Sequence, residues 1–273
     1  MNGHPLLEAR EVTVRFGGLT AVDAVSAAFA PGELVGIIGP NGAGKTTFFN
    51  ALSGVIVPTS GELFALGSRL TGAKPHRYAQ QGIARTFQTP RVFAELSVTA
   101  NIAFGLQFAG RHRSASWLLK DDASILNLIG LAAQAALPAA AITPSQQRLL
   151  EIGMALATRP KLLLLDEVAA GLTENEIEAM AQLIRRLRDE LDLTVIWIEH
   201  AVTTLLHHVE RVIVLHQGRK IADGTPAEVV RNAEVVEAYL GDEMEPGRVT
   251  GPAAGHTPGD RPPQAGRSQG VSS

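Results

Sequence analysis

The chain contains no cysteine, which removes disulfide frameworks and thiolate metal sites and fits a reducing compartment, the cytosol by default. Aromatics make up only 5% of it, and nowhere do about 18 apolar residues run together, so no segment reads as a membrane span. The start, MNGHPLLEAREVTVRF, lacks the basic-then-apolar order of a secretion signal. Positive charge is not in excess either. Lys and Arg number 24 against 27 Asp and Glu, a formal net charge of -3, which gives no general reason to expect a nucleic-acid partner. Any membrane role must therefore come from docking onto another subunit. What is present is 273 residues of 45% apolar composition, enough for a buried core in one large domain or two small ones.

Val12 to Phe16 and Leu34 to Ile38 read as strands, the second running into GPNGAGKTT and then the apolar helical start FFNAL. KLLLLDE, Lys161 to Glu167, is a four-leucine run ending in two acids, the pattern of a strand buried on both faces of a parallel sheet. Thr173 and Glu176 form a capping box for a helix whose Ile177, Met180, Leu183, Ile184, Leu187 and Leu191 recur at three- and four-residue spacing. TVIWIEH (Thr194 to His200) and RVIVLHQG (Arg211 to Gly218) give two more strands with a short helix between, so the core is an alternating α/β sheet. Between about Pro90 and Ala157 the patterns are helical, which predicts an inserted helical subdomain. From Asp242 to Ser273 there are eleven Gly or Pro among thirty-two residues and no aromatic. That is too little apolar surface to offset the entropy of ordering, so the segment is expected to be a disordered tail.

Gly39, Gly44, Lys45 and Thr46 satisfy GxxxxGK[ST], the P-loop, between a strand and a helix as its mechanism requires. Its glycines let backbone amides turn inward around phosphate oxygens, and the helix start adds positive partial charge. Gly39, Pro40, Asn41, Gly42, Ala43, Gly44, Lys45, Thr46 and Thr47 are thus the candidate ATP contacts. Lys45 would neutralise the β- and γ-phosphates and Thr46 would offer a hydroxyl to Mg²⁺. A chance match in a chain this long is on the order of one in a hundred. Asp166, at its strand end, is placed to hold Mg²⁺ through water, and Glu167 to polarise an attacking water as general base. Alone, paired acids ending a strand fit a helix N-cap as well; beside a P-loop the functional reading prevails. His200 could bond the γ-phosphate and that water, although a single strand-end histidine is more commonly structural.

A P-loop, then RTFQ (Arg85 to Gln88), then SQQR…LEIGMALATRP, then LLLLDE, then a histidine after an apolar strand: pieces in this order resemble the ATP-binding subunit of an ABC transporter. The resemblance covers roughly Leu6 to Gly241. FGGLTAV, GRKIADGTPAEVV…VEAYLG and the VAAGLT following DE look like the branched-chain amino acid importer type. It implies an ABC ATPase cassette over 1–241: a P-loop α/β sheet core with an N-terminal antiparallel β portion and a helical subdomain at about 90–157. It also implies that Phe16 stacks on adenine, whereas an aromatic at a strand end is by itself usually core packing. Gln88 would contact Mg²⁺ and the water and link the nucleotide to the membrane subunit. The implied assembly is two cassettes head to tail on the cytoplasmic face of the membrane, each ATP held between one P-loop and the other chain's signature turn. Two transmembrane permease subunits and an extracellular solute-binding protein would complete it.

The family signature is LSGGQ, and here Ile142, Thr143, Pro144, Ser145 and Gln146 occupy those places, both glycines gone. Proline has no N–H for a partner's γ-phosphate, and side chains now fill a surface where backbone should approach closely. As plain structure the segment is a good helix start: Thr143 as N-cap, Pro144 at the first helical position, Gln146 completing a capping box. Thr173 and Val168 depart from the family as well, which commonly has Asp or Asn at the first and Pro at the second. An intact catalytic set beside a damaged signature points to pairing with a different cassette and two unequal sites. A soluble ABC-type ATPase is the first rival, though neither a long coiled coil nor a second cassette is present. A P-loop kinase has no use for SQQR followed by LLLLDE, and a non-hydrolysing regulatory cassette is opposed by Glu167.

Overall fold

The computed structural model describes residues 5–108, 119–199 and 202–243. Near the amino end, β1 (Leu7–Phe16) pairs antiparallel with β2 (Leu19–Phe29) and β4 (Ser60–Ala65), and β5 (Ser68–Arg69) borders β4, giving a sheet of order β2-β1-β4-β5. β1 begins well before the Val12 expected from the sequence. Leu7 faces Phe29 and Ala9 faces Ala27, but the register shifts between Ala9 and Val12, where Glu11 takes φ 47, so the two-residue alternation breaks midway along one strand.

The second sheet runs β10-β9-β3-β8-β7-β6, from β3 (Leu34–Ile38), β6 (Ile83–Arg85), β7 (Leu162–Asp166), β8 (Thr194–Ile198), β9 (Arg211–His216) and β10 (Arg219–Gly224). All its pairings are parallel except β10 with β9. Every residue of β3, β7 and β8 is buried, as the continuous apolar runs predict. Alternate residues feed two cores. Leu163, Leu165, Val195 and Trp197 pack with Ile102, Ile125, Leu150 and Ile184 from helices. Leu162, Leu164, Ile196 and Ile198 pack with Phe48 and Leu52, and with Val14, Val22 and Leu63 of the antiparallel sheet. Each such side chain contributes on the order of 1.5–3 kcal/mol by burial, so the sheet is held from both faces.

The helices are α1 (Lys45–Leu52), α2 (Pro75–Gln80), α3 (Val98–Gln107), α4 (Asp122–Leu128), α5 (Pro144–Ala157), α6 (Glu174–Leu191), α7 (Val202–His208), α8 (Pro226–Arg231) and α9 (Ala233–Glu243). Between β6 and β7 the described residues hold α3 to α5 and two 3-10 turns, with one isolated bridge from Ser97 to Pro138. Among the described residues no helix is long and apolar enough to cross a membrane. His200 and residues 244–273 lie outside the described residues, so the expectations placed on that histidine and on the tail are not addressed by this fold.

Candidate nucleotide site

The carboxyl ends of β3, β6, β7 and β8 lie along one edge of the parallel sheet, where open α/β sheets bind ligands. From β3 the chain enters the P-loop. At Gly39, φ 152, a Cβ would come 2.0 Å from Leu215 O, and at Gly44, φ 95, another would come 2.2 Å from Ala21 O, so only glycine fits the loop between its neighbours. The amide of Gly218 donates to Ala43 O at 3.0 Å and clamps the loop from the β9–β10 turn. Lys45 is 4% exposed and donates through Nζ to Gly39 O at 2.6 Å and Pro40 O at 2.9 Å. Gly44 caps α1 without a side-chain oxygen, and the first turn carries no acid. No side-chain cap or acid of this helix thus competes with an external anion at that turn.

Phe16, at the end of β1, is 51% exposed and lines an open cavity with Gly42, Ala43, Gly44, Lys45, Thr46, Thr47 and Gln217. A flat apolar ring at the mouth of a phosphate loop offers a stacking surface to a base. Asn41 is exposed beside it. Tyr239, on α9, brings its buried hydroxyl against the backbone of Gly39 without completing a hydrogen bond of regular geometry, and burial pushes its pKa up to about 12.

Across from the loop, Glu167 follows the last residue of β7 and is 4% exposed. Its backbone sits at φ 50, a left-handed conformation that non-glycine residues seldom adopt. Neighbours over-determine it: Glu167 N donates to Ile198 O at 3.0 Å, Arg148 Nη1 donates to Glu167 O at 2.8 Å, and Gln88 Nε2 donates to Glu167 Oε2 at 2.6 Å. So the structure brings Gln88 and Glu167 together, as required if both address one water. Asp166, 3% exposed, is paired with Arg85 Nη2 at 3.2 Å, and Arg85 Nη1 also donates to Asn50 Oδ1 and Ser53 Oγ, both at 2.8 Å. Among the described residues no group of three or more His, Asp or Glu could itself hold a metal ion. Thr46, Gln88 and Asp166 supply oxygens that suit Mg²⁺ only if phosphate and water complete its shell.

At the far side, Thr143 caps α5. Thr143 N donates to Gln146 Oε1 at 3.0 Å, Gln146 N to Thr143 Oγ1 at 3.2 Å, and Gln147 N to Thr143 O at 2.8 Å. Pro144 has no amide, which leaves at most the Ser145 N–H of this first turn to face outward. The Ser145 hydroxyl is engaged too, lying 3.0 Å from Thr143 Oγ1 and bonding Glu176. The capping box expected at Thr173 and Glu176 is likewise formed.

Arg85, Arg148, Glu151 and Glu199 also belong to this neighbourhood and were not singled out from the sequence. Arg148 holds Ala170 O at 2.9 Å as well as Glu167 O. Glu199, 2% exposed, accepts from Ala169 N at 2.7 Å and Trp197 Nε1 at 2.9 Å, and burial raises its pKa. Glu151 is 6% exposed on α5. A charge amid LLEIGMALA is the signal that could have found it, since a carboxylate on an apolar helix face needs buried donors. Burial pushes its carboxyl up to about 7. The folded state therefore holds a proton that the unfolded chain releases nearer pH 4.5, and the stability this confers below that pH is lost as pH rises through 7. Glu151→Gln should abolish a loss on the order of 2–3 kcal/mol, so its melting temperature relative to the parent rises between pH 5 and pH 8. Equal differences at both pH values would contradict this.

Beside the Gln88 loop an apolar groove is lined by Val55, Tyr78, Phe87, Phe104, Phe108 and Met154. Phe93, Phe104 and Phe108 pack ring to ring, with centroids 4.7 and 5.1 Å apart, and remain partly exposed, Phe108 the most.

A P-loop between strand and helix, an acid pair at β7 and a glutamine bonded to the second acid define an ATP-binding cassette. Residues 22–170 match the ABC transporter family, and residues 219–245 match the family described as branched-chain amino acid ATP-binding cassette transporter. The chain belongs to the ABC transporter family, as an ATP-binding subunit with ATPase chemistry. It is similar to the high-affinity branched-chain amino acid transport ATP-binding protein BraF of Pseudomonas aeruginosa, 37% identical over 254 residues, 87% of this chain and 98% of that one. LivG of Escherichia coli K12, named likewise, is 37% identical over 251 residues with the same shares covered. Among solved structures, the ADP conformation of MJ1267, an ATP-binding cassette of an ABC transporter, superposes with a TM-score of 0.77 at 28% identity, covering 87% of this chain and 99% of that one.

Proposed function

We propose that this chain hydrolyses Mg-ATP to power an importer of branched-chain amino acids or a similar small polar solute. It would act at the cytoplasmic face of the membrane, on two separate permease subunits served by an extracellular solute-binding protein. The observation that carries the hydrolytic part is the 2.6 Å bond from Gln88 to Glu167 opposite the P-loop. In this reading Lys45 and the α1 amides hold the phosphates, Phe16 takes the adenine, and Thr46, Gln88 and Asp166 hold Mg²⁺, which supplies charge neutralisation at the β- and γ-phosphates. Glu167 takes a proton from the attacking water, Gln88 orients that water, and His200 is assigned to the γ-phosphate. The names of BraF and LivG support the cargo class. Exposed aromatics beside the Gln88 loop support a permease segment there, because patches of this kind on a globular surface mark protein contacts.

The partner cassette is proposed to be a different chain. The amides of Thr143 and Gln146 are used within the turn and Pro144 has none, so this turn offers a partner's nucleotide at most the Ser145 N–H, and the site completed by this signature is the weaker one. One lost bond to a charged group is worth about 1.5–3 kcal/mol, roughly a ten- to hundred-fold rate or affinity difference. Phosphate release by this chain alone, compared with an equimolar mixture with its partner cassette, tests the pairing. A rise of about ten-fold or more in the mixture is expected, and equal activity per site would remove the case for asymmetry.

A further inference from the structure

Glu151 meets the Gln88 loop in an uncommon way. One oxygen, Oε1, accepts from both Phe87 N at 3.3 Å and Arg91 N at 3.0 Å, the amides on either side of Gln88, Thr89 and Pro90. A single acceptor thus closes both ends of the segment that carries Gln88 onto α5. Beyond Arg91 the chain is pinned again, since Asn101 Oδ1 accepts from Phe93 N at 2.8 Å and its Nδ2 donates to Phe93 O at 3.1 Å. Three residues before Glu151, a turn away on the same helix, Arg148 grips Glu167 O at 2.8 Å. The helix that starts at the signature turn therefore holds both Gln88 and Glu167, the first through its loop and the second through its carbonyl.

We propose that Glu151 is a positioning residue for hydrolysis: its Oε1 fixes the Phe87 and Arg91 amides so that Gln88 stays on the Glu167 carboxylate, tying the signature helix to this chain's own γ-phosphate site. This rests on the roles assigned above to Gln88 and Glu167. The charged and titratable groups around Glu151 are Arg148 on its own helix, Arg85 from β6, Arg91 from the loop and His76 from α2 across the groove. The carboxyl titrates near neutrality, yet a proton on its other oxygen leaves Oε1 an acceptor. Protonation therefore does not release the loop, and a neutral amide can do the same work.

Steady-state ATPase of the full chain distinguishes this from mere packing. Glu151→Ala should lower kcat about ten-fold and leave KM for ATP within about two-fold, because Gln88 serves the γ-phosphate side and not the Phe16 cavity. Glu151→Gln should keep nearly parental turnover. In a Gln88→Ala background, Glu151→Ala should cost nothing further, since the residue it positions is gone. The same loss in both backgrounds overturns the proposal, as does a Gln variant as poor as the Ala variant, or a change confined to KM. Should the Ala variant not fold, Glu151→Asp, whose carboxylate is drawn back by one methylene, enters the same double-mutant cycle and is judged by the same outcomes. Parental turnover in Gln88→Ala alone would mark the Gln88 assignment as the failure and remove this inference with it.

Discussion

Glu167→Gln is expected to leave ATP bound and almost unhydrolysed, with turnover down by about 10²–10⁴-fold. The substitution is close to isosteric, and the tethers that place the residue do not need its charge. Ile198 O and Arg148 hold the backbone, and an amide oxygen can accept from Gln88 Nε2 as the carboxylate does. What disappears is the basicity. If Glu167 takes the proton of the attacking water, geometry survives and chemistry does not, so nucleotide should be retained as triphosphate. Phosphate release and the identity of the retained nucleotide, measured together, read this directly. Turnover at the parental rate would refute the assignment of the base.

Lys45→Ala should fail earlier, at binding. The ammonium is buried beneath the loop and held by Gly39 O and Pro40 O, so its loss removes a cation from the phosphate site and takes a donor from Gly39 O, while Pro40 O keeps the amide of Ala43. Loss of a charge-assisted contact costs about 1.5–3 kcal/mol, and the lost donor to the Gly39 carbonyl adds to it. Affinity for ATP is expected to fall at least about ten- to a hundred-fold, followed by equilibrium nucleotide titration with circular dichroism to confirm that the fold persists. Unchanged affinity would mean that the loop amides alone grip the phosphates and that the lysine has another task.

The two variants also mark how far the sequence could be read unaided. The P-loop, β3, β7 and the capping boxes at Thr143 and Thr173 depend on neighbours within a few residues, and these were legible as local pattern. β6 was not, because Ile83 to Arg85 is too short to show a period and exists only by pairing with β7. The Gln88–Glu167 bond spans 79 residues and the Glu151–Phe87 bond 64, and no spacing rule reaches across such intervals. The resemblance to ABC cassettes supplied Gln88, since the residues themselves did not announce it. It did not supply Arg148 or Glu151, whose work is done through backbone atoms of other segments.

The turn at Thr143 to Gln146 has a consequence for the denatured chain. A polypeptide with consecutive glycines there would sample a wide range of φ and ψ before folding, whereas proline followed by serine samples far less. Each such replacement, where the native backbone tolerates it, lowers the entropy lost on folding by about 0.4–1 kcal/mol. The residues proposed above to weaken contact with a neighbour's triphosphate thus make this corner readier to become helix.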